Sequence, residues 1–180
     1  CPPARRDQER RFWNRFDALD GADRAAAAHE LRGKIDEVAA LLRARLASSE
    51  PLERARALRV AGELGPSAHW HERVERLSHD ADAIVRALAV ALLGQFADTA
   101  AKRILRAAVN DPDERVQANA IEALDQLNLP ERVAVTEPKL QSPNSRVRAN
   151  AAFVASHTPG VPAPAAPSSR SSSIAKSFEK

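Results

Sequence analysis

Three stretches of this chain spell nearly the same six residues at a spacing of 31: Val85–Val90 (VRALAV), Val116–Ile121 (VQANAI) and Val147–Ala152 (VRANAA). A fainter copy, Ala55–Val60 (ARALRV), lies 30 residues before the first. A fixed period of this length means that one supersecondary unit recurs and stacks on its neighbours, because so short a unit cannot bury its apolar face alone. The chain is therefore read as an elongated stack sharing one core, and stacks of this kind are binding surfaces.

Helix fills the period. Apolar residues make up 44% of the chain but aromatic ones only 4%. Alanine supplies much of the difference, which suits closely packed helices and suits β-sheet badly. The separators are turn segments: Glu50-Pro51, Asp80-Ala81-Asp82, Asp111-Pro112-Asp113 and Ser142-Pro143-Asn144. Proline fits the first turn of a helix, and an Asp or Ser side chain caps its free N–H groups, a contribution of about 1 kcal/mol per helix. The pattern predicts helices over 23–32 and 35–46, 52–64 and 69–77, 83–96 and 99–109, 113–127 and 131–140, with a last first-helix over 145–155. Pro138 falls where its period-mate is Ala107. An interior proline costs about 3 kcal/mol, so that helix is expected to stop near Glu137 and the last pair to pack loosely.

The ends differ in composition. Phe12, Phe16 and Leu19 fall at i, i+4 and i+7 with Trp13 beside them, the mark of one apolar helix face. Residues 1–22 are expected to form an N-terminal capping helix, residues 23–155 the repeat domain, and residues 156–180, rich in Pro and Ser, a linker or disordered tail.

The motifs Asp111–Leu124 (DPDERVQANAIEAL) and Ser142–Ala151 (SPNSRVRANA) resemble HEAT repeats of the bacterial type, including those grouped with phycobilisome-lyase-like repeats. The resemblance covers about residues 23–155 and is strongest in the last three copies. It implies an all-α fold, a right-handed α-solenoid of about four antiparallel helix pairs, with the second helices along a concave face.

Charge is unevenly placed. Arg5, Arg6, Arg10, Arg11 and Arg15 face only Asp7 and Glu9 in the first segment, and the tail is also basic, so the body between them is slightly acidic. Such a body is a poor general binder of phosphate backbones. No apolar run reaches the about 18 residues of a membrane span. The single cysteine, Cys1, excludes an intramolecular disulfide. A chain that begins with cysteine and contains no methionine resembles a mature bacterial lipoprotein, which makes Cys1 a candidate lipidation site. A fragment boundary is the preferred explanation, and the compartment, cytoplasmic or membrane-anchored, is left open.

Chemistry is sparse. Two His-Glu dipeptides, His29-Glu30 and His71-Glu72, invite comparison with deoxyhypusine hydroxylase, a HEAT-repeat enzyme that binds iron through such pairs. Here there are two pairs, on a first and a second helix, and their ligands are not expected to converge on one metal. His69 and His71, at i and i+2, point to different sides of a helix and read as solvent-facing. No Gly-rich phosphate loop or activated nucleophile is present, so neither a catalytic residue, a cofactor nor a metal is expected. Arg86, Arg146 and Arg148 are expected to reach acidic turn residues such as Asp80, Asp82 or Asp113 and to form a structural ladder.

The binding candidates lie on the second helices: Trp70, Arg73 and Arg76, then Lys102, Arg103 and Arg106. A Trp beside arginines has the composition of an interaction hot spot. Arg43, Arg73 and Arg103 recur at 30 residues, although the apolar register prefers 31 and sets Glu72 opposite Arg103. The expected function is a non-catalytic protein–protein interaction scaffold or adaptor, monomeric on its own, that holds a partner segment along this face. The alternatives are a nucleic-acid-binding protein like the HEAT-like alkylpurine DNA glycosylases, a chromophore-lyase-type enzyme, and an accessory domain of a larger membrane or signalling protein.

Overall fold

The capped turns do as their residue types require. The computed structural model describes residues 13, 14, 16, 21–33 and 35–157. Among them are nine α-helices and one 3-10 helix, and no strand. The helices are α1 (Gly21–Arg32), α2 (Ile35–Leu46), α3 (Pro51–Leu64), α4 (His71–Leu77), α5 (Ala83–Phe96), α6 (Thr99–Ala108), α7 (Glu114–Gln126), α8 (Arg132–Thr136), the 3-10 helix Glu137–Gln141, and α9 (Ser145–Ser156). Asp82, Asp113 and Asn144 each accept hydrogen bonds from two backbone N–H groups in the first turns of α5, α7 and α9. Glu50 makes no such side-chain bond, and Pro51 opens α3 in its place.

Successive first helices pack side by side, α1 on α3, α3 on α5, α5 on α7 and α7 on α9, with the second helices in a separate layer. The fold is an α-solenoid. Its core is continuous, running from Val38 and Leu42 through Leu58, Val90, Leu93, Leu105 and Ile121 to Val147 and Val154. Small residues allow the close approach: a Cβ on Gly94 of α5 would lie 2.8 Å from the Cβ of Ala123 on α7.

The first-helix layer is also stitched by polar groups. Arg54 donates to the carbonyls of Ser48 and Ser49, and to Asp80 Oδ1 at 2.7 Å in the next repeat. Arg86 donates to the carbonyls of Asp80 and Ala81, and doubly to Asp111 at 3.0 and 2.9 Å. Gln117 donates to the Asp111 carbonyl, and Arg148 to those of Ser142 and Pro143. Of the three arginines expected in an ion-pair ladder, Arg86 alone reaches a turn acid: Arg148 donates to turn carbonyls only, and Arg146 reaches Asn119 Oδ1. The partner of Arg86 is Asp111, while Asp113 pairs with Arg115.

Two findings correct the sequence reading. Arg54, not Arg56, occupies the ladder position of Arg86, so the earliest copy is offset by 32 residues and not 30. The same offset pairs buried Ala55, Ala57, Leu58 and Ala61 with buried Ala87, Ala89, Val90 and Leu93. The second ladder was not foreseen: Asn119 Nδ2 donates to the Ala87 carbonyl at 2.9 Å and Asn150 Nδ2 to the Ala118 carbonyl at 3.0 Å. The Asn of the repeated Ala-Asn-Ala thus ties each first helix to the one before it.

Pro138 acts as expected. α8 ends at Thr136 and the chain continues as a 3-10 turn. The packing of this pair is mixed: Arg132 and Thr136 are buried, whereas Val133, Val135 and Leu140 are only half-buried. Arg132 donates to Asp125 and to the Leu129 carbonyl, and Thr136 to the Arg132 carbonyl. At the other end Trp13 and Phe16 are buried, and the Arg45 guanidinium lies 4.5 Å from the centre of the Trp13 ring. Most of the expected cap over 1–22, Cys1 included, and residues 158–180 of the expected 156–180 tail lie outside the described residues, while Gly21 and Ala22 belong to α1 and Ser156 to α9.

Candidate functional site: the second-helix layer

The second helices are short and irregular. α4 has 7 residues and α6 has 10. Val74 and Leu105, 31 residues apart, are both fully buried, so the apolar register is 31. It sets Glu72 and Arg103 at equivalent positions, and likewise Glu75 and Arg106. The 30-residue line of Arg43, Arg73 and Arg103 is therefore not a ladder of equivalent positions.

Trp70, proposed from sequence as an exposed hot spot, is 1% exposed. It stands at the N-cap of α4, and an indole of this size at the start of so short a helix stays in the apolar interior. It offers no surface to a partner and no stacking platform to a base. Its Nε1 has no hydrogen-bond acceptor among the described residues.

The five cationic candidates divide into two sets. Arg76 is paired with Glu72 at 3.1 Å, and Arg106 with Glu131 across the turn to the next repeat. The Arg106 hydrogen bond holds the Glu131 carboxyl below the ordinary carboxylate range. Arg73, Lys102 and Arg103 have no carboxylate in ion-pair range among the described residues, Arg103 being exposed and the other two half-buried.

At the N-terminal ends of these helices lie side-chain contacts that sequence reasoning missed. His69 Nε2 is 3.1 Å from Asp36 of α2, and His71 Nε2 is 2.7 Å from Asp98, the N-cap residue of α6. Histidines read as solvent-facing therefore bridge from one second helix to the next. The only available signal was the spacing of His71 and Glu75, i and i+4 on one helix face; the arrival of Asp98 depends on the turn between α5 and α6. His29 is exposed on α1 and joins no group of three ligand atoms among the described residues, whereas His71, Glu75 and Asp98 do come together.

The model of the family described as HEAT repeats matches residues 71–156. No curated protein matches the chain in sequence. Among solved structures, human deoxyhypusine hydroxylase in complex with glycerol is similar at 27% identity with a TM-score of 0.50; the match covers 64% of this chain and 41% of that one. The chain thus spans less than half the length of that enzyme.

Proposed function

Residues 71–156 are HEAT repeats, and from that premise we propose that this chain is a non-catalytic interaction scaffold whose second-helix face holds an acidic segment of a protein partner. The observation that carries the reading is the contrast among cations. Arg54, Arg86, Arg106 and Arg132 are held by carboxylates of the chain itself, whereas Arg73, Lys102 and Arg103 are not. Cations with no carboxylate in ion-pair range among the described residues, on two neighbouring helices, can pair with a partner's carboxylates without first breaking an internal ion pair, and such contacts steer association as well as strengthen it. The stitched first-helix layer supplies a rigid support for this face. The likeness to deoxyhypusine hydroxylase supports the helical stack.

A glutamate-rich peptide titrated against the full chain is the direct test. Binding is expected to weaken with salt, and to fall about tenfold or more when Arg73→Glu and Arg103→Glu are combined, with thermal unfolding nearly unchanged. Equal affinity of the double variant rejects this face. Tighter binding to duplex DNA than to the peptide at low salt would favour the nucleic-acid alternative instead.

A further inference from the structure

We propose that His71, Glu75 and Asp98 form a binding site for a divalent transition-metal ion, which clamps α4 to the α5–α6 turn. This goes beyond the partner-binding reading and is independent of it.

The three ligand atoms lie within 4.8 Å of one another. His71 Nε2 is 2.7 Å from Asp98 Oδ2 and 3.3 Å from Glu75 Oε1. An ion held at about 2.0–2.2 Å by each of two ligands sets those ligand atoms about 2.8–3.5 Å apart, depending on the angle between them. The His71–Glu75 spacing of 3.3 Å falls inside that range and the His71–Asp98 spacing of 2.7 Å just below it, so a bound ion would spread that pair slightly. One imidazole with two carboxylates is a donor set suited to zinc, iron, nickel or manganese.

A second observation concerns the ring nitrogen. His71 Nε2 is buried and makes no aligned hydrogen bond, although Asp98 Oδ2 is at hydrogen-bond distance. The nitrogen thus lies between two carboxylate oxygens without an aligned hydrogen bond to either, a position in which the three groups can share one cation.

The surroundings hold the ligands in place. The His71 ring stacks on Phe96 with centroids 4.3 Å apart. Phe96 and Asp98 flank Ala97, a residue in the left-handed region at φ 58°. That conformation is costly for a residue with a Cβ, and it turns the chain so that the stacked ring and the carboxylate face the same imidazole. Asp98 divides its two oxygens: Oδ1 accepts from the Ala101 N–H to cap α6, and Oδ2 faces His71. Glu72 plays no part, because one residue on from His71 it points around the helix to Arg76. The His-Glu dipeptide is therefore not the binding unit; the i, i+4 pair is.

Calorimetric titration of the full chain carrying Cys1→Ser with zinc chloride is expected to show one ion per chain, and cobalt chloride to develop visible d–d absorption. Asp98→Asn keeps a capping oxygen and Glu75→Gln keeps the side-chain volume. Each is expected to remain helical by circular dichroism and to weaken zinc by about 10- to 100-fold. Zinc should raise the unfolding temperature of the Cys1→Ser chain but not that of the same chain with His71→Ala. Absence of saturable one-to-one binding, or binding that all three substitutions leave unchanged, overturns the proposal.

Discussion

The two helical layers of this chain are held by different means. In the first-helix layer, the repeat signature is almost wholly structural: its valines and most of its alanines are buried, its Asp and Asn residues cap, and its Arg, Gln and Asn side chains bind the backbone of a neighbouring turn or repeat. In the second layer little recurs at a fixed position beyond an Arg-Leu pair, Arg45-Leu46 and Arg76-Leu77, shared by α2 and α4. A buried Trp, two histidine–carboxylate contacts and a buried Arg–Asp pair each do a local task once. The residues that catch the eye because they repeat are those least free to act on anything outside. Function, on this view, belongs to the layer whose sequence varies.

That difference is most sharply tested at Trp70. If the second layer depends on single large side chains, Trp70→Ala should cost about 4 kcal/mol of unfolding free energy in denaturant titration. Trp70→Phe should cost much less, since it keeps most of the volume and removes a buried N–H that has no acceptor among the described residues. A small loss for Trp70→Ala would mean that α4 is placed by its contacts with the first layer alone.

A smaller effect is expected from breaking one rung of the first layer. Arg86 and Asp111 are 14% and 13% exposed. Arg86→Leu leaves a half-buried carboxylate and two backbone carbonyls without their donor, a loss of about 2 kcal/mol. The hydrogen bond from Arg86 to Asp111, set against burial, holds the Arg86 guanidinium proton more firmly than usual, so the arginine side of the rung keeps its charge. Arg76→Leu, by contrast, breaks an exposed pair in the second layer and should change stability little.

Smaller still is a matched pair of glycines 32 residues apart in α3 and α5. Space around Gly62 is open, so Gly62→Ala should stabilise by about 0.5–1 kcal/mol through helix propensity. Gly94→Ala drives a methyl to 2.8 Å from Ala123 Cβ. The clash should outweigh the same propensity gain and destabilise by about 1–2 kcal/mol. Effects of equal sign at the two sites would show that the α5–α7 approach is less tight than its neighbour-to-neighbour geometry requires.

How far each layer was legible before the coordinates follows from the range of the interactions involved. Helix limits, caps and the Pro138 break rest on contacts within a few residues, and composition reports those. Ala83–Phe96 is the predicted helix to the residue, and α8 stops at Thr136, one residue before the expected Glu137. The fate of Trp70, the Asn119 and Asn150 ladder, and the meeting of His71 with Asp98 depend on how one repeat seats on the next. That seating is set by turn lengths, and the connection over residues 65–70 is longer than residues 97–98 of the next repeat, in an interval that is 32 residues and not 30. Amphipathic pattern also could not separate Arg73 from Arg76, because what distinguishes them is the presence or absence of a carboxylate reached through the fold.

The least of the expected effects is electrostatic, and it tests whether the first-layer turns respond to acid. Burial pushes the Asp80 carboxyl up, but hydrogen bonds from Arg54 and from the Asp82 N–H, with the charges of Arg54 and Arg86, outweigh it and leave the group below its ordinary 3.8. Asp113 is lowered too, first by its hydrogen bond from Arg115. A carboxyl that binds its proton more weakly when folded contributes stability that is complete above the unfolded value. That contribution is lost as pH falls through the lower, folded value. Denaturant titrations between about pH 6 and about pH 3 should therefore show a steepening loss at the acid end. Asp80→Asn should be less stable at neutral pH and lose less on acidification, so that the two curves converge. An unchanged acid slope in Asp80→Asn would place the sensitivity elsewhere, and would reduce the Arg54–Asp80 rung from an electrostatic link to a purely geometric one.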